Sequence, residues 1–366
     1  MKEEGSVDHQ RFLVRALALA ARGEGHTRPN PPVGAVIVSD GQIIGEGWHR
    51  KAGGDHAEVA AIKDACRRLR APVDARCLPS DATLYVTLEP CSKPGRVGAC
   101  TDAIVAAGIK RVYFAVPDPN RVNRGKAKRV LARRGVVCTS LASDRRLGAV
   151  IAAARRMIAP FAKHVTTGLP FVTVKLAMSL DGRICDCTGN AKWISSARSR
   201  GLTGRERERV DAIMVGAGTV RADDPSLLSH GRRNDDLVRV VVTRSGRIPK
   251  QARIFTDGRN PTLVCRAADG RLKPVLEDLG RRGLLHVLCE GGLELARSLA
   301  DEGLVDRWIS VTAPIVIGSR PLAEALKLKV RSSGYSDSRV GDRVGEYDVT
   351  HETERKSPDV NASFAR

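Results

Sequence analysis

The sequence predicts two α/β units in tandem, each a sheet covered by helices on both faces. Three observations carry this expectation. Stretches with strand character alternate with helix-period stretches along the chain. Its 366 residues are enough for two domains or one large one. Its composition, 42% hydrophobic and 28% charged, is that of packed globular cores.

The elements follow in order. Residues 8–23, DHQRFLVRALALAARG, space apolar side chains three and four apart and stop at Gly23, which predicts a helix. VGAVIVSDGQIIGEGWH (33–49) predicts a hairpin turning at Asp40-Gly41. Next come a helix over 55–69, a strand over 82–89, a helix from Cys100, a strand over 111–116, a helix over 126–135 and the short strand VVCTS (136–140). An Ala- and Arg-rich helix over 144–162 leads to HVTTGLP (164–170), and the strand FVTVKLAMS (171–179) opens the second alternation. We place the boundary between Pro160 and Pro170, with domains over 1–160 and 168–353 and a polar, disordered tail over 354–366. No repeat of solenoid period is visible.

The net charge is +20, from 61 Lys and Arg against 41 Asp and Glu. An anionic partner is therefore expected: nucleic acid, a phosphorylated metabolite or a nucleotide cofactor. The basic residues are dispersed and aromatics make up only 4%, so nucleic acid is not expected. No apolar run approaches the ~18 residues that span a bilayer, and the acidic start MKEEG does not resemble a secretory signal. A cytoplasmic chain is expected. Its nine Cys lack a framework pattern, so disulfides are not expected and metal-binding or catalytic thiols are.

Three of these residues join a constellation. His56-Ala57-Glu58 begins a helix, Pro90-Cys91 follows a strand, and Cys100 starts another helix after a Gly- and Pro-bearing loop. Residues two apart share a site only at a helix's N-terminal end, where both can point past the first turn. One imidazole and two thiolates give zinc three ligands and leave a fourth position for water, whose pKa falls towards roughly 7. Glu58 is then the proton carrier. This His-x-Glu plus two-cysteine pattern is the established signature of zinc deaminases. Taken singly, His56 is a surface histidine and either cysteine a structural thiol; the order and spacing make the argument. Cys185 and Cys187 form only Cys-x-Cys in a polar loop and are not expected to be ligands.

The second half lacks a full Gly-x-Gly-x-x-Gly fingerprint: Gly216-Ala217-Gly218 follows a strand, but Arg221 stands where the third glycine belongs. Glu290-Gly291-Gly292, between the strand LLHVLC and the helix LELARSLA, is better placed to bring backbone N–H groups to a pyrophosphate.

TRPNPPVGAVIV, HAE, VTLEPCS, GR, Cys100 and DPN resemble the deaminase domain of the bifunctional riboflavin-biosynthesis deaminase/reductases (the RibD type). Eight residues separate Cys91 from Cys100, where nucleoside and nucleic-acid deaminases use Cys-x-x-Cys. VKLAMSLDGRI, WIS, VDAIMVGAGTVRADDPSL and CEGGLELARSL resemble the same family's reductase domain. The resemblance implies a cytidine-deaminase-like α/β/α domain followed by a dihydrofolate-reductase-like α/β domain. It implies zinc on His56, Cys91 and Cys100, catalysis by Glu58, and NADPH beside Ala177, Trp193, Thr219, Asp223, Gly291, Gly292, Leu293 and Glu294. Arg244, at a strand end, is a candidate for the cofactor's 2′-phosphate. The substrate, a small phosphorylated pyrimidine, would face Lys175, Ala191, Arg207, Leu227, His230 and Glu290, with Arg207 on its phosphate.

The chain also departs from the family pattern. Val97-Gly98-Ala99 replace Thr-Pro-Pro, and Lys93-Pro94 stand where His is common. Ala191 replaces a Ser, Thr243-Arg244 replace Asp-Ser, and His230 replaces a phosphate-binding Arg, with Arg232 and Arg233 nearby. Arg96 is a candidate for the deaminase substrate's phosphoribosyl group. A homo-oligomer is expected. The rival expectations are a basic nucleoside or tRNA deaminase with an appended domain, and a degenerate deaminase acting as scaffold for an active reductase.

Overall fold

The computed structural model describes residues 8–72, 78–93, 98–185, 196–229, 236–317 and 343–348. Its first sheet has the order β2-β1-β3-β4-β5, from β1 (Gly34–Ser39), β2 (Gln42–Trp48), β3 (Thr83–Leu88), β4 (Arg111–Val116) and β5 (Val137–Ser140). β1 and β2 form the expected hairpin, with Ser39 opposite Gln42 and positive φ at both Asp40 and Gly41. That pair of dihedrals is what a two-residue turn with the strands' own twist demands. β1 also runs antiparallel to β3, while β3, β4 and β5 are parallel.

Alternate residues of these strands feed two cores. Ala35, Ile37, Leu84, Val86 and Val112 meet α2 (Ala57–Arg68), α3 (Cys100–Ala106) and α4 (Lys126–Ala132) on one face. Val36, Val38, Tyr85 and Ala115 meet α1 (His9–Ala20) and α5 (Gly148–Thr167) on the other. Both faces are therefore buried, the condition for a three-layer α/β/α domain.

α2 lies unusually close to β2. A Cβ added to Gly47 would sit 2.3 Å from the Ala61 nitrogen, and one on Gly45 would sit 2.5 Å from the Ala61 oxygen. Glycine on the strand and alanine on the helix let two backbones touch.

α5 runs through Pro160 to Thr167, five residues past the expected end at Ala162. The β-branched run Val165-Thr166-Thr167 is a poor helix former. Tertiary contacts override it: Lys163 pairs with Asp306, and Gly168 closes the helix in the left-handed region. Val150, Ile151, Ala154 and Ile158 of the same helix belong to the first domain's core. Asp306 also accepts from the Val172 N–H at 2.7 Å, so this helix ties the first core to the start of the second sheet.

The second sheet has the order β12-β11-β6-β10-β7-β8-β9. Its strands are β6 (Phe171–Ser179), β7 (Ala212–Gly216), β8 (Val238–Thr243), β9 (Thr262–Arg266), β10 (His286–Cys289), β11 (Arg307–Ala313) and β12 (Arg343–Asp348). All neighbours are parallel except β11 and β12. Between strands lie α6 (Ala197–Arg209), α7 (Ala217–Asp223), α8 (Arg253–Thr256), α9 (Lys273–Arg281) and α10 (Leu293–Asp301). One face packs on Leu276, Leu279, Leu295 and Leu299 of α9 and α10, the other on Val210, Val220, Leu227 and Leu237. No helix among the described residues is long and apolar enough to cross a membrane. The expected tail, residues 354–366, lies outside the described residues.

One expectation fails. Cys66 is disulfide-bonded, while the other described cysteines are free. The spacing of nine cysteines without a framework gave no sign of a single isolated bridge.

Gly47→Ala is expected to force β2 and α2 apart, costing about 1–3 kcal/mol as overpacking against backbone. Denaturant unfolding of this variant should show earlier loss of the first domain, with the second domain's transition unmoved; an unchanged first transition would show that α2 withdraws freely.

Candidate active sites

His56 is the N-cap of α2, with extended backbone and no capping bond, so its ring is directed outside the helix. Cys91 follows β3 through Glu89-Pro90, and Cys100 opens α3. His56 Nδ1 lies 3.2 Å from Cys100 Sγ and 3.5 Å from Cys91 Sγ, and the three donor atoms all lie within 4.8 Å of one another. A tetrahedral zinc with bonds of about 2.0 Å to nitrogen and 2.3 Å to sulfur needs ligand separations of roughly 3.5–3.8 Å. The donor set and spacing fit that ion. Among the described residues this is the one cluster of its kind.

The electrostatics fit as well. The Cys100 hydrogen bond, with His56 beside it, pulls the Cys91 thiol down to about 4 and pushes Cys100 up, so a thiolate is present at neutral pH. By contrast, burial pushes Cys138 and Cys289 up to about 12 and leaves them inert thiols.

Glu58 lies in the first turn of α2 and is only 4% exposed. Burial pushes it up to about 7, where a carboxyl can both take and return a proton.

Three groups at this site were not assigned a role from sequence. His49 is buried, its Nδ1 2.9 Å from the Asp55 carbonyl and its Nε2 3.1 Å from Asn30 Nδ2. With Nδ1–H donating and Nε2 accepting, the ring is neutral, and burial lowers its pKa further. It stands edge-on to the His56 ring, centroids 5.2 Å apart. Glu89 is buried and accepts the backbone N–H groups of Asp118, Gly125 and Ala127, anchoring the DPN loop beside Cys91. Asn30 and Glu89 lie in motifs quoted above and His49 ends the hairpin, but nothing local in the sequence announces these long-range bonds. Arg96 and Val97 lie outside the described residues.

In the second domain a cavity of about 560 Å³ opens at the C-terminal ends of β7, β8 and β10, the end of a parallel sheet where ligands bind. Thr219, Asp223, Arg244, Gly292, Leu293 and Glu294 all line it. Ala177 and Gly291 do not; Gly291 is buried in the turn, where a Cβ would meet Leu295 at 2.7 Å. Trp193, Ala191, His230, Arg232 and Arg233 lie outside the described residues.

Lys175, Arg207 and Glu290 form a half-buried charge cluster. Arg207 grips Glu290 with both Nε and a terminal nitrogen, at 2.7 and 2.8 Å, and donates to the Leu228 carbonyl at 2.9 Å. Among the described residues, partners engage three of its five N–H groups, and two remain for a ligand. Burial pushes Lys175 down, opposed by Glu290. Leu227 holds φ at +50° with its side chain in the core, so its backbone is what it can offer a substrate.

The comparisons agree with this geometry. Residues 6–116 match the cytidine and deoxycytidylate deaminase zinc-binding region, and residues 170–335 match the RibD C-terminal domain. Riboflavin biosynthesis protein RibD of Aquifex aeolicus is 33% identical, over 87% of this chain and 93% of its own. That of Bacillus amyloliquefaciens is 38% identical, over 84% and 85%. The Thermotoga maritima diaminohydroxyphosphoribosylaminopyrimidine deaminase/5-amino-6-(5-phosphoribosylamino)uracil reductase structure covers 85% of this chain and 88% of its own, with TM-score 0.76 and 32% identity. Acinetobacter baumannii RibD gives 0.72 and 35% with the same coverage of both chains.

The chain belongs to the RibD family of bifunctional riboflavin-biosynthesis enzymes, a zinc-dependent deaminase followed by an NADPH-dependent reductase. The rival expectation of a nucleoside or tRNA deaminase falls with that membership.

Cys91→Ser and Cys100→Ser are each expected to lose zinc and deamination together, while NADPH oxidation on pre-deaminated substrate survives. Metal analysis of the purified variants decides it: full zinc occupancy would remove the residue from the ligand set. Glu58→Gln is expected to keep zinc and slow deamination by about 10²–10⁴-fold. A rate near wild type would move the proton transfer to another group.

Proposed function

We propose that the first domain hydrolyses the ring amine of a diamino-phosphoribosylaminopyrimidine, and that the second reduces the ribosyl chain of the product to ribityl. The observation that carries the first half is the convergence of His56, Cys91 and Cys100 beside a buried Glu58. Zinc bound there supplies a Lewis acid that brings a water's pKa towards about 7. Glu58 takes a proton from the attacking water and passes it to the ring nitrogen, then takes the second proton from the added hydroxyl and delivers it to the departing amine. The C–N bond breaks, a carbonyl forms, and ammonia leaves. His49, held neutral between Asn30 and Asp55, gives the pocket a fixed polar wall without adding charge.

In the second domain NADPH supplies the hydride. Thr219, Asp223, Arg244 and Gly292 to Glu294 hold it in the cavity, with Ala177, Trp193 and Gly291 assigned to it by family resemblance. Lys175, Arg207 and Glu290 face the phosphorylated substrate, joined by Ala191, Leu227 and His230 on the same resemblance. Glu290 offsets the cost of burying Arg207, and the two remaining N–H groups of that guanidinium reach towards phosphate. We place the reaction in the cytoplasm and expect a homo-oligomer.

The test is incubation of the purified chain with the diaminopyrimidine phosphate, with and without NADPH. Ammonia should appear in both cases, and NADPH should be oxidised only as deaminated product accumulates. NADPH oxidation on supplied deaminated product, with no ammonia release from the first substrate, would favour a degenerate first domain acting as scaffold. Absence of both signals would overturn the proposal.

A further inference from the structure

Beside the cofactor cavity lies a second, of about 660 Å³, formed by Arg221 of α7 and the segment 245–250 that leaves β8. The two cavities share Arg221 and Ser245, so they are contiguous. Arg244 faces only the first; Arg247 and Lys250 face only the second. Family resemblance assigns no role to Arg221, Arg247 or Lys250.

The second cavity is strongly basic. Arg221, Arg247 and Lys250 are exposed, and among the described residues none is ion-paired to a carboxylate. The Arg221 side chain is nevertheless held in place: it donates to the Arg247 carbonyl at 3.3 Å. The segment it touches is itself a built turn, with Gly246 N–H donating to Thr243 Oγ1 at 3.1 Å and Arg247 N–H to Ser245 Oγ at 3.2 Å. Cationic side chains gathered at an ordered turn, with no carboxylate to neutralise them, form a seat for a doubly charged anion. The chemistry of the neighbouring ligand supplies that anion. NADPH differs from NADH only by a phosphate on the adenosine ribose, which gives it a second anionic group away from the pyrophosphate.

We infer that the 2′-phosphate of NADPH sits where the two cavities meet, held by Arg221 and Arg247 with Ser245, and that these side chains select NADPH over NADH. The inference rests on the cofactor assignment proposed above. It adds Arg221 and Arg247 to the residues assigned there and gives Arg244 the approach to the site rather than its floor.

The test is fluorescence titration of the full chain with NADPH and NADH in the absence of pyrimidine, with 2′,5′-ADP and 5′-AMP as competitors. Wild type should bind NADPH at least tenfold tighter than NADH, and 2′,5′-ADP should displace it far better than 5′-AMP. Arg221→Ala and Arg247→Ala should each weaken NADPH by about tenfold to a hundredfold and leave NADH unchanged. Both changes are on the surface, and Arg221→Lys should restore part of the preference by keeping the charge. Equal weakening of both nucleotides, no change in either, or loss of the whole preference in Arg244→Ala alone would each overturn the inference. Gly292→Val separates it from its premise. If that variant blocks both nucleotides while the Arg221 and Arg247 variants are silent, the cofactor site stands and only the 2′-phosphate assignment falls. If it leaves both nucleotides bound as before, the cofactor lies elsewhere and both fall together.

Discussion

The first active site depends on one packing constraint, the contact of α2 with β2 across Gly45 and Gly47. His56 and Glu58 ride on the start of that helix, whereas Cys91 and Cys100 come from the end of β3 and the start of α3. Donors from three separate segments meet within 4.8 Å only if helix, hairpin and sheet are locked in one register. β1 supplies the lock by pairing with both β2 and β3. Any side chain at Gly47 would lift α2 and carry the imidazole away from the thiols. Glu89 acts from the other side, its carboxylate spending three backbone hydrogen bonds on the loop after β4. A buried carboxylate is costly unless so satisfied, and its satisfaction makes the loop rigid.

The second domain solves a different problem, placing charge in a sheet that is apolar on both faces. Arg207 and Glu290 are bidentate partners with side chains 14% and 11% exposed. Arg239, 2% exposed, is held by Asp257, the Ser226 carbonyl and the Asn260 carbonyl. The two guanidiniums grip the strained segment from Asp224 to Leu228, which has φ of +40° and +50° at its two ends of strain, Asp224 and Leu227. Backbone held in the left-handed region by non-glycine residues persists only when its surroundings over-determine it. Here Arg239 and the half-buried Arg207 do so, and the segment borders the cluster of Lys175, Arg207 and Glu290.

Much of this was legible in the sequence because its causes are local. Asp40-Gly41 dictates a turn, the unbroken apolar run 34–38 fits a strand buried on both faces, and the two-residue offset of His56 and Glu58 works only at a helix start. The His56, Cys91 and Cys100 cluster was legible through order and spacing, and the cavity beyond β10 through a strand–glycine–helix junction at 289–293. What escaped was non-local. The run Val165 to Thr167 argues against helix until Asp306, over a hundred residues away, pairs with Lys163. Asn30 looks like a turn residue until it bonds His49. Arg207 looked free for a phosphate because nothing near it in sequence is its partner; Glu290 is 83 positions distant. Cys66 likewise carries no local mark of its disulfide.

The net charge of +20 finds its meaning in which cations are paired. A guanidinium removed from water must be matched by a carboxylate, because an isolated buried charge costs several kcal/mol even after relaxation. Arg207 and Arg239 obey that rule with Glu290 and Asp257. Arg221, Arg244 and Arg247 face cavities instead and stay solvated, so their matching anion need not belong to the chain. Composition alone could not separate these populations, since both contribute the same charge. Burial separates them: a paired, buried arginine shapes the scaffold, and an unpaired one at a cavity wall raises the local concentration of phosphorylated ligands. An enzyme whose substrate and cofactor both carry phosphates has reason to keep the second kind, and to hold its fold together with the first.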